Sequence, residues 1–415
     1  MRSSAPARRP LPRAVIALGW VSLLTDAASD MIYPLVPAFL ITLGGGAEAL
    51  GWIEGVAEAV AAVVKIIAGR LADRAPRKKP LIAAGYGLSA LARPLFAVAT
   101  SPIHAVFVRA LDRVGKGLRG PPRDLVLAAA VGAESRGAAF GFHRMMDNFG
   151  GVLGPLIAFT LLRAFDLPLR TVFAASVVPG LFAVVVILVF VREPPTRALL
   201  DVKIAPAPGS TGKSPALAPL PPSARRYLAV VGLFSLAGSG DLFLLNRMTD
   251  LGMDRALVPI AWVSLQLGKG LLNVAGGRAS DRFGRRPVLV IAWVLYAVSY
   301  VGFGLVGSWP MAWGLLAIYA FHYGFAEGGQ RALLAELVPS AARGRAFGLQ
   351  TAIEGLAVLP ANVLFGLVYA RVSARAAFVG SGAIALCAAA LLLTVTAPPP
   401  EVDEPELKAE GSSTC

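Results

Sequence analysis

Residues 69–80 read GRLADRAPRKKP, and residues 277–287 read GRASDRFGRRP. Both open on Gly-Arg, carry an Asp-Arg pair and close on a second basic pair, at an offset of 208 residues. Two further matches keep almost the same spacing. RGAAFG at Arg136 is repeated as RGRAFG at Arg343, 207 residues on, and Arg123 and Arg331 are 208 apart. Three matches at one offset divide the chain into two like halves running in the same direction, a construction common in transporters.

Composition says where such halves would sit. Of 415 residues, 56% are hydrophobic and 15% are charged, with a mean hydropathy of +0.66. Soluble domains carry about 25% charged residues. A spanning helix needs about 20 mostly apolar residues. Twelve such runs can be placed, at roughly 14–42, 48–69, 80–100, 102–127, 138–163, 170–191, 226–247, 255–276, 287–307, 310–335, 346–369 and 376–397. Internal charges make the fourth, seventh and tenth weak by hydropathy alone. Strand-like alternation is missing, which argues against a barrel. The reading is an all-α membrane protein: twelve transmembrane helices in two pseudo-symmetric six-helix bundles, residues 14–191 and 226–397.

The net charge of +14 need not mean nucleic acid. Arg2, Arg8, Arg9 and Arg13 precede the first run, Arg70 to Lys79 follow the second, and Arg278 to Arg286 follow the eighth. The connections LGGGAEA, TSP and GSWP on the other side carry no Lys or Arg. The positive-inside rule then puts both termini in the cytoplasm of an inner (plasma) membrane protein. Residues 1–13 form a basic N-terminal segment, 192–225 a Pro- and Ser-rich linker, and 398–415 an acidic tail read as disordered. The start has the charged and apolar parts of a signal peptide. Its apolar run continues past Asp26 and Asp30 without a clear cleavage site, so it reads as a retained span. Two cysteines and three scattered histidines support neither a disulfide framework nor a metal site. No phosphate-binding Gly-rich loop points to ATP. No cofactor is expected.

At these residues the chain resembles the major facilitator superfamily. Gly69, Leu71, Asp73, Arg74, Arg77 and Lys78 are similar to the family's loop signature, with Pro76 where a Gly is usual, and Gly277, Asp281, Arg282, Gly284, Arg285 and Arg286 repeat it. Arg113-Val-Gly-Lys-Gly117 resembles an Arg-x-x-Gln-Gly motif, with Lys116 replacing Gln. Gly150, Gly154 and Pro155 look like the antiporter-branch motif without its trailing glycine pair. The resemblance implies a cytoplasmic gate latch at Gly69, Asp73, Arg74, Arg77, Gly277, Asp281, Arg282 and Arg285. Read as residues alone, these charges could simply orient the chain. Gly150 and Gly154 share a helix face, where small residues let two backbones approach. An antiporter seam and ordinary packing both fit.

The remaining signal is charge inside apolar runs. Arg109, Asp112, Arg113 and Lys116 fall at i, i+3, i+4 and i+7, one helical stripe. At about 1.5 Å per residue, Arg113 lies roughly 15 Å into the membrane. Charge there is costly unless it meets partners or water. Asp26, Asp30 and Tyr33 on the first run reach matching depth and are the expected partners. The resemblance implies that the first, fourth, seventh and tenth helices line a central cavity, which adds Asp241, His322, Tyr323 and Glu327. The expected roles are anion binding or clamping by Arg109, Arg113 and Lys116, and proton exchange at Asp30 or Asp26. The competing reading is a static ion-pair network. Lys269 and Arg93 have no assignable partner in the sequence.

These features predict a monomeric secondary transporter, not an enzyme. It would move a small charged or zwitterionic solute with protons across the lipid bilayer, as an efflux antiporter or as an uptake permease. A non-transporting sensor is the less favoured alternative, and nothing calls for nucleic acid.

Overall fold

The computed structural model describes residues 11–131, 135–193, 220–339 and 342–395, excepting the side chains of Gly137, Val274, Glu327 and Gly328. The basic segment through Pro10, the linker from 194 to 219 and the tail from 396 onward lie outside the described residues. Within them, all regular structure is helical.

The first run is not one helix. α1 (Arg13–Asp30) gives way to a 3₁₀ turn at Tyr33–Leu35 and then to α2 (Val36–Thr42). Pro34 lacks an N–H, and its ring would clash with the carbonyl four residues back, on Asp30. The chain tightens there, with Leu35 N–H donating to the Ile32 carbonyl at 2.9 Å. α3 (Ala47–Arg74) and α4 (Lys79–Ala92, continued as 3₁₀ turns from Arg93 to Val98) follow. α5 (Pro102–Ala129) is capped by Ser101 and runs unbroken through Pro121 and Pro122. α6 (Arg136–Arg163), α7 (Leu169–Ala175) and α8 (Val177–Phe190) complete the first half.

The second half comprises α9 (Pro222–Ala237), α10 (Leu242–Asp250), α11 (Val258–Phe283), α12 (Arg285–Leu305), α13 (Trp309–Leu337), α14 (Arg343–Arg371) and α15 (Ala374–Leu392). α9 begins at Pro222, four residues inside the segment read as linker, because proline suits a first helical turn. α9 and α10 are separated by Gly238 to Asp241, a break that mirrors the one in α1.

The signature stretches begin on helix and end in a turn. α3 continues through Asp73 to Arg74, just short of Pro76, and α11 continues through Asp281 to Phe283. Gly284, at φ +90°, then makes the turn that a side chain would resist.

Among the described residues, nine helical runs are long and apolar enough to cross a membrane. Ala47–Arg74, Pro102–Ala129 and Trp309–Leu337 fall outside that set. The seventh run, expected to be weak, passes at Pro222–Asp250 with a hydropathy of 1.9. Instead α3 drops out, because it carries Glu48, Glu54, Glu58 and Lys65 within its apolar length.

The halves meet along α3 with α14, and along α6 with α11. The described ends near Arg13 and Leu393, the turn at 75–78 and the turn at Gly284 share one face, called here the termini face. Away from it, a Cβ on Gly51 would stand 2.5 Å from the Asn362 carbonyl oxygen, and one on Gly55 would stand 2.9 Å from Leu359. Nearer the termini face, a Cβ on Gly355 would be 3.8 Å from Ala62, and one on Gly69 would meet nothing. The two helices are thus zipped at the far face and splayed at the near one.

Within the first half, Gly150 and Gly154 of α6 lie against the Leu23 and Ala27 carbonyls of α1. Substituting Gly154→Ala should therefore destabilise the protein by about 1–3 kcal/mol through overpacking. Gly348→Ala faces open space and should hold or slightly raise stability through helix propensity. Thermal unfolding of the two purified variants checks this; equal melting temperatures would sink the close-packing account.

Candidate functional site

The break at Pro34 and the break at Gly238–Asp241 put Tyr33 and Asp241 at the closed end of a cavity of about 1260 Å³. The cavity widens toward the termini face, past Lys65, Asp124 and Arg144.

Of the expected residues, Asp26, Asp30, Tyr33, Arg109, Arg113, Lys116, Asp241 and Tyr323 line it together. The α5 stripe does not pair as expected. Arg113 Nη2 meets Glu58 Oε1 on α3 at 3.1 Å. Asp112 accepts from Arg93 Nε at 2.9 Å and from Arg109 Nη1 at 3.5 Å. Arg93, which had no assignable partner in the sequence, also donates to the Thr25 carbonyl of α1 at 3.0 Å. Asp112 is 1% exposed and lies outside the cavity lining, so its place is between α4 and α5. The Arg109 guanidinium lies 4.5 Å over the Tyr33 ring. Asp26 and Asp30 face the cavity from α1, and Asp30 Oδ2 lies beside Gly151 of α6.

The second half supplies a separate cluster. Lys269 Nζ donates to Asp241 Oδ2 at 2.5 Å, and Tyr319 Oη donates to Asp241 Oδ1 at 2.6 Å. Lys269 also stands 4.0 Å over the Tyr323 ring. The halves touch where Tyr33 meets Trp262 edge-on at 5.0 Å; within its own half Tyr33 donates to Glu54 Oε2 at 2.6 Å. Gly240 N–H donates to Asn362 Oδ1 at 2.7 Å, helping to brace the α9–α10 break. At the far face, Arg371 Nη2 meets Glu48 Oε1 at 3.2 Å.

His322 belongs elsewhere. It is 6% exposed, with Nδ1 2.8 Å from the Ala292 carbonyl and its ring among Phe234, Tyr296 and Tyr319. A buried aromatic setting with a backbone partner makes it core. The Glu327 side chain lies outside the described residues. The sequence also missed Trp262 and Gln266, which line the cavity with Asp241. With Lys269 they fall at i, i+4 and i+7, a stripe that periodicity alone could have found.

Of the signature residues, Arg285 and Arg286 contact their own half. Arg285 Nη1 reaches Glu336 Oε1 at 3.1 Å and the Ala332 carbonyl at 2.8 Å, tying α12 to the end of α13. Among the described residues, no His/Cys/Asp/Glu group is arranged to hold a metal ion.

The sequence matches the description of the Major Facilitator Superfamily over residues 18–264 and 227–414. It is 26% identical over 393 residues to an uncharacterized MFS-type transporter of Methanocaldococcus jannaschii, covering 93% of this chain and 96% of that one. It is 26% identical over 347 residues to the multi-drug resistance efflux pump PmrA of Streptococcus pneumoniae, covering 80% and 83%. Its fold superposes with a TM-score of 0.72, at 17% identity, on a bacterial homolog of the human lysosomal transporter Spinster in an inward-facing, occupied conformation, covering 94% and 97%. Repeated signature, helical fold and apolar runs agree: the chain is an integral membrane protein that belongs to the major facilitator superfamily.

Proposed function

We propose that this protein is a proton-coupled secondary transporter that exports a small charged or zwitterionic solute by alternating access. In this reading all twelve helical runs span the bilayer, in two six-helix bundles joined by the cytoplasmic linker. Both termini are then cytoplasmic, and the cavity is open inward. The observation that carries the reading is a charged cavity closed at one face by contacts between the halves and open at the other. Export is supported by the name of the pneumococcal relative and by the Gly150–Gly154 seam of α6 on α1.

The chemistry follows from which charges are already satisfied. Arg113 is held by Glu58, whose side chain is 45% exposed. A solute anion can compete for that guanidinium because one end of the pair is wet. Asp26 and Asp30 face the same space, so a solute that occupies the arginines leaves the acids with less positive charge nearby and favours their protonation. Coupling of this sign loads proton and solute together and favours the second reading, uptake, whereas export requires that the two alternate in the cavity. Asp112, clamped by Arg93, holds α4 to α5.

Flux of candidate solutes in proteoliposomes under an imposed pH gradient tests this. Asp30→Asn and Arg113→Ala should each slow gradient-driven flux by about tenfold, the effect of a barrier change near 1.4 kcal/mol. Wild-type rates in both would remove the charged-cavity mechanism. Solute moving in the same direction as protons would replace export with uptake.

Alternation itself makes a second expectation. In a protein whose Cys387 and Cys415 are replaced by Ala, Glu48→Cys with Arg371→Cys should be linked by a short bis-maleimide, and linking should abolish flux. Each single cysteine variant, treated alike, should keep it. Flux persisting in the linked protein would show that the far face need not open.

A further inference from the structure

The two walls of the cavity differ in kind. The wall from the first half carries the charged stripe. The wall from the second half presents Trp262, Gln266, Leu267, Leu271 and Tyr323. Its one acid among the described residues, Asp241, is already bound by Lys269 and Tyr319. At the rim, Leu267 and Leu271 of α11 are 48% and 76% exposed, and Met145 and Phe149 of α6 are 45% and 57% exposed. All four line the cavity rather than the outer surface alone. These four side chains make an apolar side to a rim that elsewhere carries Lys65, Asp124 and Arg144, and a small polar solute would leave that side uncovered.

The charged wall is selective by sign. Arg109 and Arg113 are 3% and 7% exposed, yet Nε of each makes no hydrogen bond among the described residues. A guanidinium can only donate. Buried donors without a partner call for an acceptor, and a charged oxygen acid answers that need most strongly. Lys116, one turn away, is exposed to the same space.

We propose that the solute is an amphiphilic anion. Its oxyanion head is held by Arg109, Arg113 and Lys116, and its apolar body lies between α6 and α11 against Phe149, Leu267 and Leu271. This rests on the transport reading above and narrows it. A wholly apolar compound leaves the guanidinium donors unmet, and a small polar anion leaves the rim wet. A cationic amphiphile would fill the rim but bring its positive charge to Arg109, Arg113 and Lys116, against which Asp26, Asp30 and Glu58 are the nearest acids in the lining.

The test measures ligand-dependent thermal unfolding of the protein in lipid nanodiscs, at constant ionic strength. The probes are naphthalene-2-sulfonate, methanesulfonate and (2-naphthylmethyl)trimethylammonium. The aromatic sulfonate should bind at least about tenfold more tightly than methanesulfonate, a difference near 1.4 kcal/mol, and more tightly than the ammonium. Arg113→Gln should weaken both sulfonates. Leu271→Ser should weaken only the aromatic one, and unfolding without ligand shows that both variants are folded. Equal binding of the two sulfonates, tighter binding of the ammonium, or no effect of Leu271→Ser would overturn the proposal. Flux of the aromatic sulfonate in proteoliposomes separates the two levels. Binding with the expected preferences but no flux of any solute defeats the transport reading, while flux of other solutes without this preference defeats only the amphiphile.

Discussion

A charge buried among helices must find its partner there, and the arrangement of α5 follows from that requirement. Asp112 and Arg113 are neighbours, so they point about 100° apart around the helix. Asp112 turns to α4, where Arg93 takes it, and Arg113 turns to α3, where Glu58 takes it. Removing one member of a pair as buried as Arg93–Asp112 costs about 3–5 kcal/mol, because the other charge is stranded. That pair fixes the rotation of α5. Once it is fixed, Arg109, Arg113 and Lys116 have no freedom to face anything but the cavity. A single stripe in the sequence thus splits into a structural edge and a cavity edge.

The two helix breaks complete the same design. Regular helix satisfies its own backbone, and non-helical backbone at membrane depth is tolerated where it is buried in protein or lines a cavity. Here the breaks occur at Tyr33 and at Gly238–Asp241, and both are braced by polar side chains, Tyr33 on Glu54 and Gly240 on Asn362. At the repeat offset, 33 + 208 gives 241, so the two cavity-end residues occupy equivalent positions. The halves have kept the break and changed its chemistry. One side now offers a phenol under an arginine, the other a carboxylate under a lysine.

Much of this was legible in the residues. The repeat, the apolar runs and the stripe on α5 are one-dimensional patterns, and their helices lie within a few residues of expectation. The partners were not legible, because pairing depends on how helices rotate against each other. Asp26 and Asp30 matched the arginines in depth, but depth is one coordinate of three, and Glu58 sits nearer Arg113 around the bundle. Arg93 and Lys269 looked orphaned for the same reason. His322 shared a helix with Tyr319 and Tyr323, yet it faces α12 rather than the cavity. Trp262 and Gln266 were missed although their spacing was plain, since an aromatic and an amide among apolar residues carry no distinguishing cost.

The contacts that close the far face differ in strength from those that build each half. Within the halves, buried ion pairs and close backbone approach hold helix to helix, as in Arg93–Asp112 and Gly154 on Ala27. Between them, the ion pair at the far face is Glu48–Arg371, with side chains 39% and 69% exposed. A pair so wet contributes about 0–1 kcal/mol. Beside it, α3 packs on α14 and α2 on α10, in van der Waals contact that weakens steeply with small separations. A rotation that parts the far face therefore meets little resistance from charge, while one that distorts either half must strand an ion in the membrane. This difference favours motion of the halves as rigid bodies about the cavity.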